Sequence, residues 1–317
     1  MIRGAIIIDT IIRTVVPIYL LIGLGFLSRR FTLLKAGDER VLNSYVYFFA
    51  LPALFLINIA EIDFTGDTIR FVLAGISPII IILIGYTLIY LIFRLSKETY
   101  YLLTLSTIFG SLGFFGIPFV MFAFPTTEGE HLAILSASSI SVISVCISLV
   151  FLEMYKLNKA NLHKNITRIL KKLLTNPLIL SILSGVVVSI TGITIPAPLQ
   201  DVLHMLGRTT ATVAIFMLGA FLYGRKYTKL GSALKLSTLR MVILPAIALL
   251  IIKYVFKVTN LEQSILVLMH SMPVAISMII LSQRYDFHKE TIASVILVSS
   301  LGAGIYLNLW IFVLQYL

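Results

Sequence analysis

Apolar residues run almost unbroken through ten segments of this chain, at roughly 14–28, 41–60, 70–93, 101–124, 131–154, 174–191, 202–223, 238–256, 262–283 and 291–315. Each approaches the roughly 20 residues that an α-helix needs to cross a bilayer. The segments are apolar all round, whereas strands of a membrane barrel alternate apolar and polar positions. The pattern therefore predicts an all-α membrane protein with ten transmembrane helices joined by short loops.

Composition agrees. Hydrophobic residues make up 59% of the 317 and charged residues 12%, against roughly 45–50% and about 25% in soluble domains. The mean hydropathy is +1.02. Such a chain leaves no room for a large soluble catalytic domain or a nucleic-acid reader, and its partner of first resort is the lipid bilayer. The net charge of +11 then reads as membrane orientation. On one side of the expected spans the loops carry 18 Lys and Arg, on the other 5. Cytoplasmic loops are the basic ones, so both termini are expected outside a plasma or inner cell membrane. The first twenty residues lack a clean signal-peptide core and read as the lead-in to the first span. The lone Cys146 lies in an apolar run and reads as a packing residue.

Ten spans divide into five and five, residues 1–155 and 174–317, around a basic cytoplasmic linker at 156–173. Because five is odd, related halves would enter the membrane from opposite sides, as an inverted repeat. Pro17 and Pro177 open the first and sixth spans, and Pro118 and Pro273 fall within the fourth and ninth. Each pair is separated by about half the chain. In the fourth span Gly110, Gly113, Gly116 and Pro118 lie within nine residues. Gly costs about 1 kcal/mol and Pro about 3 in a helix interior, so this span should unwind near mid-membrane, and the ninth at Pro273. Broken helices at matching places in two halves point to a transporter site. The exposed helix N-termini, at Gly116, Ile117 and Pro118 and at Pro273, Val274 and Ala275, suit an anion such as a carboxylate. Gly113 belongs to the same cluster, although its glycines also permit close helix packing.

Three stretches carry a family resemblance across nearly the whole chain: LNSYVYFFALPALFLINIA (42–60), GSLGFFGIPF (110–119) and MPVAISMIILSQRYDFHKETIASVILVSS (272–300). NPLILSILSGVVVSITGITIPAPL (176–199) and VAIFMLGAFL (213–222) add to it. They resemble the auxin efflux carrier family, including its bacterial permeases. The resemblance implies a fold like that of sodium/proton antiporters and bile-acid symporters, with crossover helices 4 and 9. It implies a scaffold of helices 1, 2, 6 and 7 and a transport domain of helices 3–5 and 8–10. It also implies transport of small organic anions by an elevator-type motion, and a homodimer through the scaffold. Ser111 and Ser277 stand where the family commonly has Asn. A serine hydroxyl donates one hydrogen bond where an Asn amide donates two.

Charges inside spans are costly and usually functional. Arg208, with His204 one turn earlier, either guides an anionic substrate or snorkels to the interface or pairs with Asp201. His270, three residues before Pro273, is either the group that couples protons to transport or a packing histidine. Asn43 is either a helix cap or a lining of the substrate path. Arg240 sits inside or at the edge of a span. Glu153 beside Lys156 reads as a solvated pair at the cytoplasmic interface, and Asn58 as interfacial. Asp and Glu are missing from span centres, which disfavours a cycle built on paired aspartates. Uniport, anion exchange and coupling to H+ or Na+ stay open, as does the direction of transport. No metal, dinucleotide or nucleotide-binding fingerprint occurs, so neither a cofactor nor an enzyme is expected. The leading expectation is a secondary transporter of a small organic anion. The alternatives are a channel, or a sensor or scaffold built on a transporter fold.

Overall fold

A computed structural model describes residues 2–62, 65–156, 167, 171, 174–224 and 227–316. The basic linker at 156–173, apart from Lys156, Thr167 and Lys171, lies outside the described residues, as do Arg225 and Lys226. The helices are α1 (Ile2–Arg30), α2 (Asp38–Ala60) and α3 (Gly66–Phe93), α4 (Lys97–Ile108), α5 (Leu112–Ala123) and α6 (Thr127–Lys156). They continue with α7 (Pro177–Thr191), α8 (Ala197–Leu222), α9 (Leu230–Val255), α10 (Asn260–His270), α11 (Ser277–Tyr285) and α12 (Lys289–Gln315). No strand occurs among the described residues.

Six of these helices are long and apolar enough to cross a membrane: α2, α3, α6, α8, α9 and α12. The fourth and ninth apolar stretches fall short for a physical reason. Each is cut in two, into α4 and α5 and into α10 and α11, so neither piece spans alone. Several helix starts carry ordinary side-chain caps. Thr65 and Thr68 form a reciprocal box at α3, Thr259 and Glu262 another at α10, and the Asn176 side chain caps α7 ahead of Pro177.

Three helices contain one wide turn, in which an N–H reaches the carbonyl five residues back. These turns are Val46–Ala50, Leu112–Gly116 and Leu239–Ile243. Each closes on the residue just before a proline: Pro52, Pro118 or Pro245. Proline lacks an N–H and its ring presses on the carbonyl four residues back. Widening the turn by one residue relieves that pressure. The carbonyl freed by Pro245 belongs to Met241, and the Trp310 indole N–H donates to it at 2.8 Å.

The helices form two packed groups. In one, α1 lies along α8, and α2 packs against α7 and α8. In the other, α3 packs on α6 and α9, α10 on α6 and α9, and α12 on α9. The groups meet where α5 packs on α1 and α8. Small residues set the closest approach. A Cβ on Gly219 would overlap the Ile22 carbonyl oxygen, and one on Gly25 the Phe216 carbonyl oxygen. Large apolar side chains such as Leu20, Leu91, Ile92, Phe93, Ile190 and Ile305 are exposed, as lipid-facing positions are. This is a multi-pass membrane protein.

The α1–α8 packing yields a paired expectation. Gly219→Ala forces backbone apart and should destabilise by about 1–3 kcal/mol. Gly23→Ala, with open space around its Cβ, should be neutral or stabilising by up to about 1 kcal/mol. Thermal unfolding of the purified variants checks the opposite signs.

Candidate functional site

Where α4 and α10 stop, the chain leaves helical geometry, at residues 109–111 and 271–276. Backbone groups freed inside a membrane have no water to turn to, so each break needs partners. The breaks find them in each other. The Ser111 N–H donates to the Pro273 carbonyl at 2.8 Å, and the Ala275 N–H to the Phe109 carbonyl at 3.0 Å. Gly110 thereby faces Val274 in an isolated antiparallel bridge. The Val274 N–H is taken by the Ser299 hydroxyl at 3.1 Å.

A buried arginine completes the arrangement. Arg240, in the wide turn of α9, is wholly buried. Its Nε donates to the Met272 carbonyl at 2.9 Å. Its Nη1 donates to the Thr107 carbonyl at 2.7 Å and lies 3.5 Å from the Ile108 carbonyl. One side chain thus holds the C-terminal ends of both broken helices. Nη2 has no hydrogen-bond partner and lies against Gly110, where a Cβ would overlap the guanidinium. Glycine at 110 is therefore required by the arginine as well as by the break.

A cavity of about 60 Å³ opens beside the bridge. From the breaks it is lined by Gly110, Ser111, Gly113, Ala275 and Ser277, and from the other group of helices by Tyr47, Leu51, Phe55 and Leu178. Ser141 and Ser144 on α6 complete its polar lining. Ser144 is 3% exposed and its hydroxyl has no partner. A second cavity, of about 240 Å³, lies toward the opposite end of α2. It is lined by Asn58 and Glu61, by Ile117 and Pro118, by Glu130 and His131, and by His204, Arg208 and Thr210. Gly113 borders both. Glu61 accepts from Gln200 Nε2 at 3.1 Å and lies 3.4 Å from His204 Nε2.

The residues singled out from sequence thus separate. Ser111, Gly113, Ala275 and Ser277 share the first cavity. Ile117, Pro118 and Arg208 line the second. Pro273 and Val274 serve the bridge through their backbones, and Gly116 is buried against Met269 and Met272. Asn43 is not a cap, because α2 already begins at Asp38; it lines neither cavity, and its side-chain oxygen has no partner. His270 also lines neither. It is fully buried, with Nε2 2.9 Å from the Gly75 carbonyl and Nδ1 unpartnered.

Three further expectations need correction. The broken helices restart at Leu112 and Ser277, not at Gly116–Pro118 and Pro273–Ala275, because the wide turn Leu112–Gly116 accommodates Pro118 within the helix and residues 273–275 stay extended to form the bridge. Glu153 is not a solvated interface residue: it is 3% exposed and accepts from the Tyr285 hydroxyl at 2.5 Å. Asn58 is not interfacial but buried, donating to the Leu54 carbonyl. Two features escaped sequence reasoning. In the sequence Arg240 stands inside or at the edge of a span, with no role attached to it. Ser141, Ser144 and Ser148 recur at helical spacing on one face of α6, and that periodicity was the available signal.

Gly110→Ala should displace the guanidinium and lower the melting temperature, whereas Ser144→Ala removes only an unpartnered hydroxyl and should leave it unchanged. Thermal unfolding distinguishes the two; equal effects would contradict the geometry.

A family model described as membrane transport protein matches residues 10–311. The chain is 22% identical over 302 residues to the uncharacterized transporter YfdV of Escherichia coli K12, covering 94% of this chain and 95% of that protein. It is 24% identical over 305 residues to the uncharacterized transporter MJ1031 of Methanocaldococcus jannaschii, covering 93% and 96%.

Proposed function

Because the chain belongs to the membrane transport protein family, the auxin efflux carriers, we propose that it is a secondary transporter of a small organic anion, with a carboxylate as the recognised group. The observation that carries this reading is the first cavity. Two broken helices start anew at its wall, at Leu112 and Ser277, with Ser111, Ser144 and Ser277 around it. Helix starts offer the positive end of the helix dipole; at α11 the Met278 and Ile279 N–H groups already donate to the Ala275 and Ile276 carbonyls, so in this reading the backbone donors come from the start of α5. Hydroxyls add neutral donors. Together they suit a negatively charged oxygen.

The two cavities support alternating access. Both lie between the two groups of helices, and Gly113 borders each. In our reading the ten spans form an inverted repeat, and α3–α6 with α9–α12 move as a transport body against a scaffold of α1, α2, α7 and α8. Arg240 and both breaks belong to the moving body, so the site travels intact. With the basic loops in the cytoplasm, the first cavity opens inward and the second outward. Arg208 in the second cavity then draws the anion toward the site. A homodimer through the scaffold follows from the family resemblance.

The test is flux into proteoliposomes across a panel of carboxylates. Saturable uptake of one class is expected, and Pro118→Ala and Pro273→Ala should each reduce it at least tenfold in protein that still folds. Wild-type flux in both variants would falsify the site. A second reading, proton coupling through His270, rests on its unpartnered Nδ1. His270→Gln should then abolish the dependence of flux on a pH gradient; an unchanged dependence retires that role.

A further inference from the structure

The transport reading assigns no task to the charge of Arg240. The carbonyls that the guanidinium holds share one property: they close helices. Thr107 and Ile108 end α4, and Met272 lies two residues past the end of α10. Helix C-termini present unpaired carbonyls and the negative end of the helix dipole. In transporters with broken membrane helices, such ends and unwound carbonyls coordinate a coupling cation. Here that position is filled by a side chain of the protein.

The geometry is that of a cation site. Three carbonyl oxygens lie 2.7, 2.9 and 3.5 Å from guanidinium nitrogens. No described acidic side chain forms an ion pair with Arg240, and the residue is 0% exposed. A buried charge without an acid partner is expensive. It persists where helix dipoles and carbonyls converge on it, and a mere packing role would be filled more cheaply by Met or Leu. Gly110 makes the room.

We propose that Arg240 is a tethered cation occupying the place of a coupling metal ion. The paired breaks therefore form without sodium, and a fixed positive charge stands behind Gly110, at the wall of the first cavity. This deepens the transporter reading and rests on it for the idea of coupling, but its test needs no transport.

The experiment is thermal unfolding of the purified full-length protein in detergent. Wild type is compared in sodium chloride and in choline chloride at equal ionic strength; the two melting temperatures should coincide. Arg240→Ala should melt several degrees lower. Guanidinium chloride at low millimolar concentration should restore part of that loss saturably. Urea at the same concentration should not, and wild type should respond to neither. Arg240→Lys, which keeps the charge, should melt above Arg240→Met, which keeps only the bulk. Saturable stabilisation of wild type by sodium overturns the proposal. So does an Arg240→Met protein at least as stable as Arg240→Lys, or an Arg240→Ala protein indifferent to guanidinium. If the alanine and methionine variants fail to fold, a folded lysine variant supports the proposal and the sodium comparison on wild type still decides against it. A protein that shows these stability effects but no flux would refute the transporter reading and leave the tethered cation standing.

Discussion

The rest of this structure depends on how two interrupted helices satisfy their backbones inside a membrane. Each unpaired N–H or carbonyl in hydrocarbon costs several kcal/mol, and the breaks at 109–111 and 271–276 create many. The solution is mutual. Gly110 and Val274 pair across an antiparallel bridge, Ser299 takes one further N–H, and Arg240 takes the carbonyls at the two helix ends. The hydrogen bonds of a charged donor are worth about 1.5–3 kcal/mol each, which offsets the burial of its charge. Remove any one of these partners and the others lose their geometry, because all converge within a few residues.

Polar groups elsewhere in the core follow the same rule at smaller scale. The wide turns before Pro52, Pro118 and Pro245 shift the helix register by one residue. Trp310 takes the carbonyl that Pro245 frees, and His270 takes the Gly75 carbonyl in the turn before Pro78. Tyr19 links α1 to α12 by donating to the Leu301 carbonyl at 2.6 Å and accepting from the Gly304 N–H at 2.9 Å. Groups left without a partner then stand out. Among them Ser144 faces the first cavity and Thr210 the second, both on the boundary between the two groups of helices.

Much of this was legible in the residues, and the exceptions have physical causes. The breaks were visible in the Gly and Pro cluster that begins at Gly110 and in Pro273, which interrupts an otherwise apolar run, but Gly113, Gly116 and Pro118 themselves lie inside α5, where a wide turn accommodates the proline. Ser111 and Ser277 were singled out through the family resemblance, as positions where Asn is common, and they share one cavity. Arg240 was not legible. Its partners are carbonyls 32 to 133 residues away, and carbonyls leave no mark in a sequence. Glu153 was misread for a related reason: Lys156, three positions on, suggested a surface pair, whereas its partner Tyr285 lies 132 residues away. Asn43 resembled a cap because the apolar run begins near it, but Asp38 and Glu39 already accept from the Lys35 and Gly37 N–H groups, so the helix starts earlier.

The central claim is that paired breaks bearing serines form a site for an organic anion. The most direct measurement is the melting temperature of the purified protein against monocarboxylates and dicarboxylates, with amines and neutral sugars alongside. A ligand bound only by the folded state stabilises it by about 2.7 kcal/mol at a hundredfold excess over Kd. The account predicts a saturable rise with one carboxylate class and none with the other compounds. A rise with amines or sugars alone would contradict it.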